Sequence, residues 1–497
     1  MNVKKSNIKR WISFGLASIM TAGTLIGCSG SGSGTAKVSA TTTGAEAAQE
    51  TAAPGTEAGS QTADGNFDWK KFAGTTLKVN MVQHSVAEAI VTKIPEFEEL
   101  TGIKVEHSIT PEANYFDKVS TALASRTGEP DLFMSGAYQL WDYSAAGYVY
   151  DLNTFLSDPD KVAPGYDFAD LYPSAVSALQ WDGVPGHAVG SGAQLGLPLA
   201  IEIYSLAYNK RAFKQAGIEV PKTYDELLAA CDKLQGWNGP DSYAMTVRGA
   251  RDWGTIHPGY MSTFANFGAQ DFAIEDDRLV SKVNSPEAVA MTEFWVDMIK
   301  RGGSPSWSRY TWYECGADLG AGKAAMMFEA DNTGIHQDWE GASAEAGNLA
   351  WTVMPLAKEG NTPNSNFWTW SMAMNADTKN ADAAWYFMMY FTSKDFALYA
   401  VTEKNALDPA RTSVINSPEF LKKMESHDGY IDTFEKTIGS TTIRFTPQPY
   451  FFETTTLWAT TLQELVAGNY ASVQEGMDSL KEKQDKVVED IVISDYE

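Results

Sequence analysis

Apolar and polar residues follow two alternating periods along the chain, one typical of strands and the other typical of helices. Residues 76–81 alternate as a half-buried strand does. Helical spacing follows at Ala87, Ile90, Val91, Ile94, Phe97 and Leu100. Gly102 stands where a helix C-cap glycine belongs, and strand-like segments come at 103–107 and 131–134, separated by a second helical stretch. This strand–helix–strand order predicts a largely parallel sheet covered by helices.

The same rhythm returns in the second half of the chain. Residues 206–209, 243–247 and 324–328 are strand-like, and Thr223 with Glu226 forms the capping-box signature of a helix start. Further helices are predicted from Ser285, from residue 383, from Ser417 and through the C-terminal 45 residues. Two α/β halves of this kind predict two lobes with a ligand cleft between them.

The first 28 residues predict a secretory signal. Basic residues at positions 4, 5, 9 and 10 precede an apolar stretch at residues 11–26. A transmembrane anchor is the alternative, which the short length of the apolar stretch disfavours. The run Leu-Ile-Gly-Cys at residues 25–28 resembles a bacterial lipobox. That resemblance implies that Cys28 carries lipid and anchors the chain to the outer face of the cytoplasmic membrane.

Residues 29–66 contain mostly Ser, Gly, Thr and Ala, without hydrophobic periodicity. Such a segment cannot bury enough apolar surface to offset the entropy of ordering it, so it predicts a flexible tether. Cys231 and Cys315 are the other cysteines, and a buried thiol at each is favoured over a disulfide.

Composition narrows the possible partners of the chain. Its 497 residues exceed the size that one core usually serves, and its net charge is −25. The negative charge argues against nucleic acid, which needs basic patches, and disfavours a highly anionic ligand. The apolar content of 44% is that of an ordinary soluble globular protein.

Four segments resemble family 1 extracellular solute-binding proteins, the maltose-binding-protein-like receptors of ABC sugar importers. They are the helix-to-strand junction at residues 97–105, the Leu-Pro-Leu-Ala-Ile-Glu run at 197–210, the Gly-Lys-Ala-Ala-Met strand at 322–326, and the helix at 381–393. Their order and spacing carry the resemblance, which spans about residues 75–487.

The resemblance implies an α/β, two-lobed, periplasmic-binding-protein-like (type II) fold with a hinge and an interlobe cleft. Its first lobe would comprise residues 67–198 plus 371–424, and its second lobe residues 199–370 plus 425–497. Closure around the ligand and docking on the transmembrane subunits of a permease are implied as well. The chain is expected to act as a monomer, without cofactor, metal or catalytic residues.

Candidate ligand residues are those that suit sugars, whose C–H faces stack on aromatic rings and whose hydroxyls pair with planar polar groups. The chain has 15 Trp and 21 Tyr, several of them next to acids at predicted strand ends. The candidates are His84, Tyr138, Glu202, Arg251, Asp252, Trp253, Trp307, Tyr310, Trp312, Glu329, Asp331, Trp368, Trp370 and Tyr450. Each also has a plain structural interpretation in packing, helix capping or surface ion pairing.

The family resemblance implies a ligand-binding role for Glu202 but no stacking role for the turn at residues 329–332. In the resembling proteins, the glutamate that matches Glu202 contacts sugar hydroxyls. The turn at residues 329–332 departs from the Asn-Gly-Pro-Trp turn of the family, so stacking at this turn is not implied.

The sequence therefore predicts a solute-binding lipoprotein that captures an oligosaccharide, because several stacking rings suggest several sugar subsites. A secreted glycoside hydrolase is the main alternative from another class, and it would need two carboxylates flanking the scissile bond. A receptor for another solute is the other alternative: a peptide, since indoles also line peptide clefts, or a polyol or a metal chelate.

Overall fold

The computed structural model describes residues 67–497. The predicted signal peptide, the lipidation site Cys28 and the predicted tether lie outside the described residues. Among residues 67–497, no helix has both the length and the apolar character needed to cross a membrane.

Twelve strands and eighteen α-helices are found in the described residues. The strands are β1 Thr76–Val82, β2 Lys104–Thr110, β3 Leu132–Gly136, β4 Gln180–Trp181, β5 Ala193–Gln194, β6 Leu197–Asn209, β7 Tyr243–Thr246, β8 Phe272–Glu275, β9 Arg278–Ser281, β10 Ala324–Ala330, β11 Leu349–Thr352 and β12 Phe367–Met374. The helices are α1 Ser85–Thr101, α2 Glu112–Ala124, α3 Ala137–Ala145, α4 Asn153–Leu156, α5 Pro173–Ala178, α6 Lys210–Ala216, α7 Tyr224–Leu234, α8 Gly259–Asn266, α9 Pro286–Gly302, α10 Trp312–Gly320, α11 Asp331–Asp338, α12 Ala381–Phe391, α13 Lys394–Lys404, α14 Thr412–Ile415, α15 Pro418–Met424, α16 Tyr430–Ile438, α17 Phe451–Ala467 and α18 Val473–Val487.

Strand β6 joins two sheets. Its first half pairs with β12 in a sheet of order β2-β1-β3-β12-β6, where β1 runs parallel to β2 and β3. Its second half pairs antiparallel with β10 and β11, and β10 pairs parallel with β7. The shared strand accounts for a two-lobed α/β fold, with one lobe built on each sheet. The exact lobe boundaries stay predictions.

Local signals in the sequence account for the elements of the first sheet. Strand β1 buries alternate residues, and the buried residues of α1 include Ile90, Ile94 and Phe97 at helical spacing. Gly102 ends α1 with φ of 70°, a left-handed conformation that glycine adopts without steric cost. The predicted strand–helix–strand rhythm is confirmed here.

The second sheet has equally clear signals. The capping box of Thr223 and Glu226 opens α7, and the Ser285 hydroxyl accepts the Ala288 N–H at the start of α9. Every residue of β10 is buried, in keeping with a strand covered on both faces. Cys231 and Cys315 are buried free thiols, as the sequence analysis favoured.

Candidate ligand-binding site

A cavity of about 230 Å³ lies where elements of the two sheets face each other. Its wall is formed by side chains from β6 and β12, from the starts of α1, α2, α10 and α11, and from the segment after β7. The lining residues are Gln83, His84, Ser85, Glu88, Glu112, Glu202, Arg248, His257, Trp312, Tyr313, Asn332, Thr333, His336, Trp368 and Trp370. Aromatic, carboxylate, imidazole and amide groups therefore meet in one small space.

The floor of the cavity is a pair of tryptophans on β12. Trp368 and Trp370 are two residues apart on one strand, so their side chains point to the same face of the sheet. Their rings meet edge to face with centroids 5.0 Å apart, and they are only 2% and 4% exposed. Glu202 is paired with Trp368 across the strands, and its carboxylate accepts the Trp370 indole N–H at 3.0 Å. The floor thus combines apolar ring surface with one fixed carboxyl group.

The Glu202 carboxyl group is buried, and burial raises its pKa to about 8. The guanidinium of Arg248 opposes this rise, while the nearby carboxylates of Glu329 and Glu112 add to it. At neutral pH the carboxyl group therefore holds its proton in the empty site. A hydroxyl-bearing ligand that donates hydrogen bonds would favour the ionised form instead.

Arg248 reaches the cavity with its charge already balanced. Its Nε and Nη2 donate to the two carboxylate oxygens of Glu329 at 2.7 and 2.6 Å, which is a buried bidentate ion pair. Its Nη1 donates to the Gly254 carbonyl and lies 3.1 Å from Nε2 of His257. Because these bonds engage the guanidinium, the cavity offers little net positive charge to an anionic ligand.

The imidazoles at the cavity are neutral. Nδ1 of His84 accepts the Val86 N–H at 3.2 Å at the start of α1, so its proton sits on Nε2, which lies 4.0 Å from a Glu202 oxygen. Burial lowers the pKa of His84 to about 3, and it also lowers the pKa values of His257 and His336. His84 is therefore placed as a neutral hydrogen-bond donor toward the ligand space.

The mouth of the cavity is formed by elements of both sheets. The Trp312 indole N–H at the start of α10 donates to Glu112 Oε2 at the start of α2, at 2.7 Å. The ring of Tyr313 stacks on that of Trp312 at 3.6 Å and is 46% exposed. Helix α2 packs on β1 and helix α10 packs on β10, so the Trp312–Glu112 hydrogen bond ties the two lobes together.

Five of the fourteen predicted ligand residues line this cavity, namely His84, Glu202, Trp312, Trp368 and Trp370. The other nine lie outside the wall for identifiable reasons. Trp253 stacks on Trp368 with centroids 5.6 Å apart and on His257 at 5.4 Å, so it supports the floor rather than forming it. Glu329 holds Arg248, and the Trp307 indole N–H donates to the Arg248 carbonyl.

Three more of the nine are engaged in the interior or near the surface of the second lobe. The Tyr310 hydroxyl donates to Asp318, and Arg251 donates through Nε to Gln463 at 2.7 Å. Asp252 is the N-cap of the short 3-10 helix Trp253–Thr255, and its backbone carbonyl accepts the Thr255 N–H at 3.3 Å.

The last three are Tyr138, Asp331 and Tyr450. Tyr138 is not a turn residue but a buried residue of α3, whose hydroxyl donates to the Phe367 carbonyl. Asp331 is buried as the first residue of α11, and Tyr450 packs against a small apolar cluster that includes Val488.

Sequence reasoning missed ten of the lining residues. They are Gln83, Ser85, Glu88, Glu112, Arg248, His257, Tyr313, Asn332, Thr333 and His336. Several carried a usable signal, because Arg248 follows β7 and Asn332 follows β10, at strand ends that point to a ligand cleft. Glu112 and His257 had none, since only tertiary packing brings them to the cavity.

Comparison with known proteins agrees with this architecture. The profile of the bacterial extracellular solute-binding protein family matches residues 94–427. The chain belongs to this family. The erythritol/L-threitol-binding protein of Mycolicibacterium smegmatis is 37% identical over 415 residues, which cover 83% of this chain and 86% of that protein.

Two further proteins are similar to this chain at lower identity. The mannitol-binding protein of Pseudomonas aeruginosa is 27% identical over 286 residues, covering 56% of this chain and 60% of that protein. A solute-binding protein from Agrobacterium radiobacter, solved in complex with ribitol, superposes with a TM-score of 0.71 at 22% identity. That match covers 84% of this chain and 99% of the solved chain, and it shows a shared fold.

Proposed function

We propose that this solute-binding protein captures a short linear polyol, of about the size of erythritol or ribitol, for an ABC importer. The observation that carries the proposal is the cavity of about 230 Å³, which is smaller than the ~300–1,000 Å³ typical of sites for drug-sized ligands. Its size favours a short polyol over the oligosaccharide predicted from the sequence. The name of the 37% identical relative, an erythritol/L-threitol-binding protein, supports the same ligand class.

The chemistry of the wall suits a neutral molecule rich in hydroxyls. The rings of Trp368 and Trp370 offer a surface for C–H groups. Glu202 and Glu112 can accept hydrogen bonds from hydroxyls, while neutral His84 can donate one. Among the described residues that line the cavity, Arg248 is the only Lys or Arg, and it is already paired with Glu329, so these residues offer no free cation for a sugar acid or phosphate.

The wider setting follows from this role. Lipid on Cys28 would hold the receptor at the outer face of the cytoplasmic membrane, and residues 29–66 would tether it. The lobes would close on the polyol as a monomer, and the closed form would deliver it to the permease subunits without chemical change to the ligand. The lobe boundaries at residues 198 and 371 belong to the same proposal.

Isothermal titration calorimetry with the purified protein tests the ligand class. The panel comprises erythritol, L-threitol, ribitol, mannitol, maltose and a tripeptide, and we expect binding of one or more of the four alditols. Glu202→Ala should weaken alditol binding at least tenfold, because a hydrogen bond to a charged group is worth ~1.5–3 kcal/mol. Trp237→Ala removes a half-buried tryptophan outside the cavity wall and should leave affinity unchanged.

Binding of maltose or the tripeptide alone would contradict the proposal. The protein should also be incubated with oligosaccharides. Detection of cleavage products would support the alternative that it is a glycoside hydrolase. Thermal unfolding of each variant without ligand checks that a loss of affinity does not reflect a loss of fold.

A further inference from the structure

The mouth of the cavity is held by two side chains that face each other from different lobes. Trp312 is the first residue of α10, and Glu112 is the first residue of α2. Both are half-buried, both line the cavity, and the indole N–H donates to the carboxylate at 2.7 Å. The pair is called here the Trp312–Glu112 wall.

Local contacts fix the position of the indole. The Glu314 carboxylate accepts the Thr311 N–H at 2.8 Å and caps the first turn of α10, which sets the backbone from which Trp312 projects. The Tyr313 ring stacks on the indole at 3.6 Å. The Trp312 indole therefore has a defined position, set by the backbone of α10 and by the Tyr313 ring.

The β12 side of the cavity is closely packed. Trp368 and Trp370 are almost fully buried, and the rings of Trp253 and His257 both stack on Trp368. A ligand therefore cannot gain length by pushing the floor back without opening the packed interior, which is unfavourable in a close-packed core. A longer ligand has to extend where the wall is less closely packed, and the half-buried Trp312 and Glu112 belong to that part of the wall.

We propose that the Trp312–Glu112 wall sets the upper length of the ligand and so acts as the specificity-determining element of the site. This inference rests on the proposed polyol function. A short polyol fits between the floor and the closed wall. A longer polyol or a disaccharide would displace the indole and break its hydrogen bond, which leaves the half-buried carboxylate of Glu112 without its donor.

The test compares ligand preference in five proteins by calorimetry, namely the wild type and four variants, with erythritol, ribitol, mannitol and maltose as probes. In the wild type we expect affinity to fall as ligand length rises, with maltose undetected. In Trp312→Ala we expect the ratio of short-alditol to mannitol affinity to fall at least tenfold, and maltose binding to become measurable. Glu112→Ala keeps the indole but removes its partner, so it should shift the ratio in the same direction by less.

Trp312→Phe is the matched variant that keeps a ring at the mouth but lacks the N–H group. It should retain the preference for short alditols more fully than Trp312→Ala does. Trp237→Ala, which removes an indole away from the cavity, should keep the wild-type ratio. Unfolding temperatures without ligand confirm that each variant is folded.

The outcomes separate this inference from the proposed function. If the wild type binds none of the alditols, the polyol function itself is wrong. If the wild type binds alditols but Trp312→Ala weakens all of them by the same factor and never binds maltose, the indole contributes affinity without selecting length. That second result would overturn the inference and leave the polyol function standing.

Discussion

Glu202 is a buried carboxyl group that faces the ligand space without a free cation beside it. The nearest imidazole, His84, is neutral and 4.0 Å away, and the charge of Arg248 is taken up by Glu329. Burial raises the pKa of Glu202 to about 8. Polyol hydroxyls that donate to this carboxyl would lower its pKa in the complex. Ligand binding and proton release are therefore expected to be coupled at this one residue.

Calorimetry in two buffers tests the coupling. At pH 7 polyol binding should release part of a proton, so the apparent binding enthalpy should differ between phosphate and Tris buffers, whose ionisation enthalpies differ. Because the free site holds the proton below about pH 8, affinity should rise with pH toward 8 and then level off. Glu202→Gln cannot ionise and should show neither effect. Equal enthalpies in both buffers with intact binding would contradict the coupling.

Among single residues, strand ends and family likeness allowed correct placement of some side chains at the cavity. Glu202 was predicted from a family position, and Trp368 and Trp370 from their place beside the crossover strand. Trp253 follows a strand in the same way, yet it does not line the cavity and instead stacks on the lining rings of Trp368 and His257. Such layering of rings depends on tertiary packing, which periodicity does not encode.

Helix α17 depends on a carboxyl group from another part of the fold. Asp142 on α3 accepts the N–H of Phe451, the first residue of α17, at 3.2 Å. Burial raises the pKa of Asp142 to about 7, and the hydrogen bonds from Phe451 and Phe452 only partly offset the rise. The contact joins α3, beside β3, to the long C-terminal helix, so its charge state bears on how firmly these elements are joined.

Asp142→Asn should stabilise the protein in a pH-dependent way. The folded carboxyl group keeps its proton to a higher pH than the unfolded one, so its titration lowers the free energy of unfolding between about pH 4 and 7. Asparagine can still accept the Phe451 N–H and avoids that loss. The variant should therefore gain roughly 2 kcal/mol relative to wild type between pH 5 and pH 8, because one pKa unit corresponds to about 1.4 kcal/mol.

Urea unfolding of both proteins at the two pH values measures this difference. Asp117→Asn, which changes an exposed carboxyl group on α2, is the control and should show no such gain. A difference between Asp142→Asn and wild type that stays constant with pH would show that the burial of this carboxyl group is not costly.

Elements with regular periods were predicted well, and irregular ones were not. The strand predicted at 103–107 is β2, Lys104–Thr110, and the helix start predicted at Ser285 is confirmed. The start of α10 was not predicted, because the consecutive aromatic residues at 306–313 show no clear 3.6-residue period. Its usable signal was the spacing of Thr311 and Glu314, a capping box.

For the whole molecule, the two-lobed arrangement follows from one long apolar strand, β6, that is shared by both sheets. The repeated strand–helix rhythm was enough to predict two α/β halves. Their relative position depends on contacts far apart in sequence, such as Trp312 with Glu112 and Asp142 with Phe451. No local pattern specifies such contacts, so the cavity volume, and with it the ligand size, could not be predicted from the sequence.

Closure of the lobes should therefore depend on the ligand. The structure has the Trp312–Glu112 hydrogen bond formed between the two lobes, at the wall of the cavity. A ligand that contacts both lobes favours this arrangement, and at 100 times its dissociation constant it adds about 2.7 kcal/mol to stability. Small-angle X-ray scattering should show a smaller radius of gyration with a bound alditol than without it, and Trp312→Ala should show a weaker change at equal saturation. A radius that stays constant while calorimetry reports saturation would mean that the lobes are already closed before the polyol arrives.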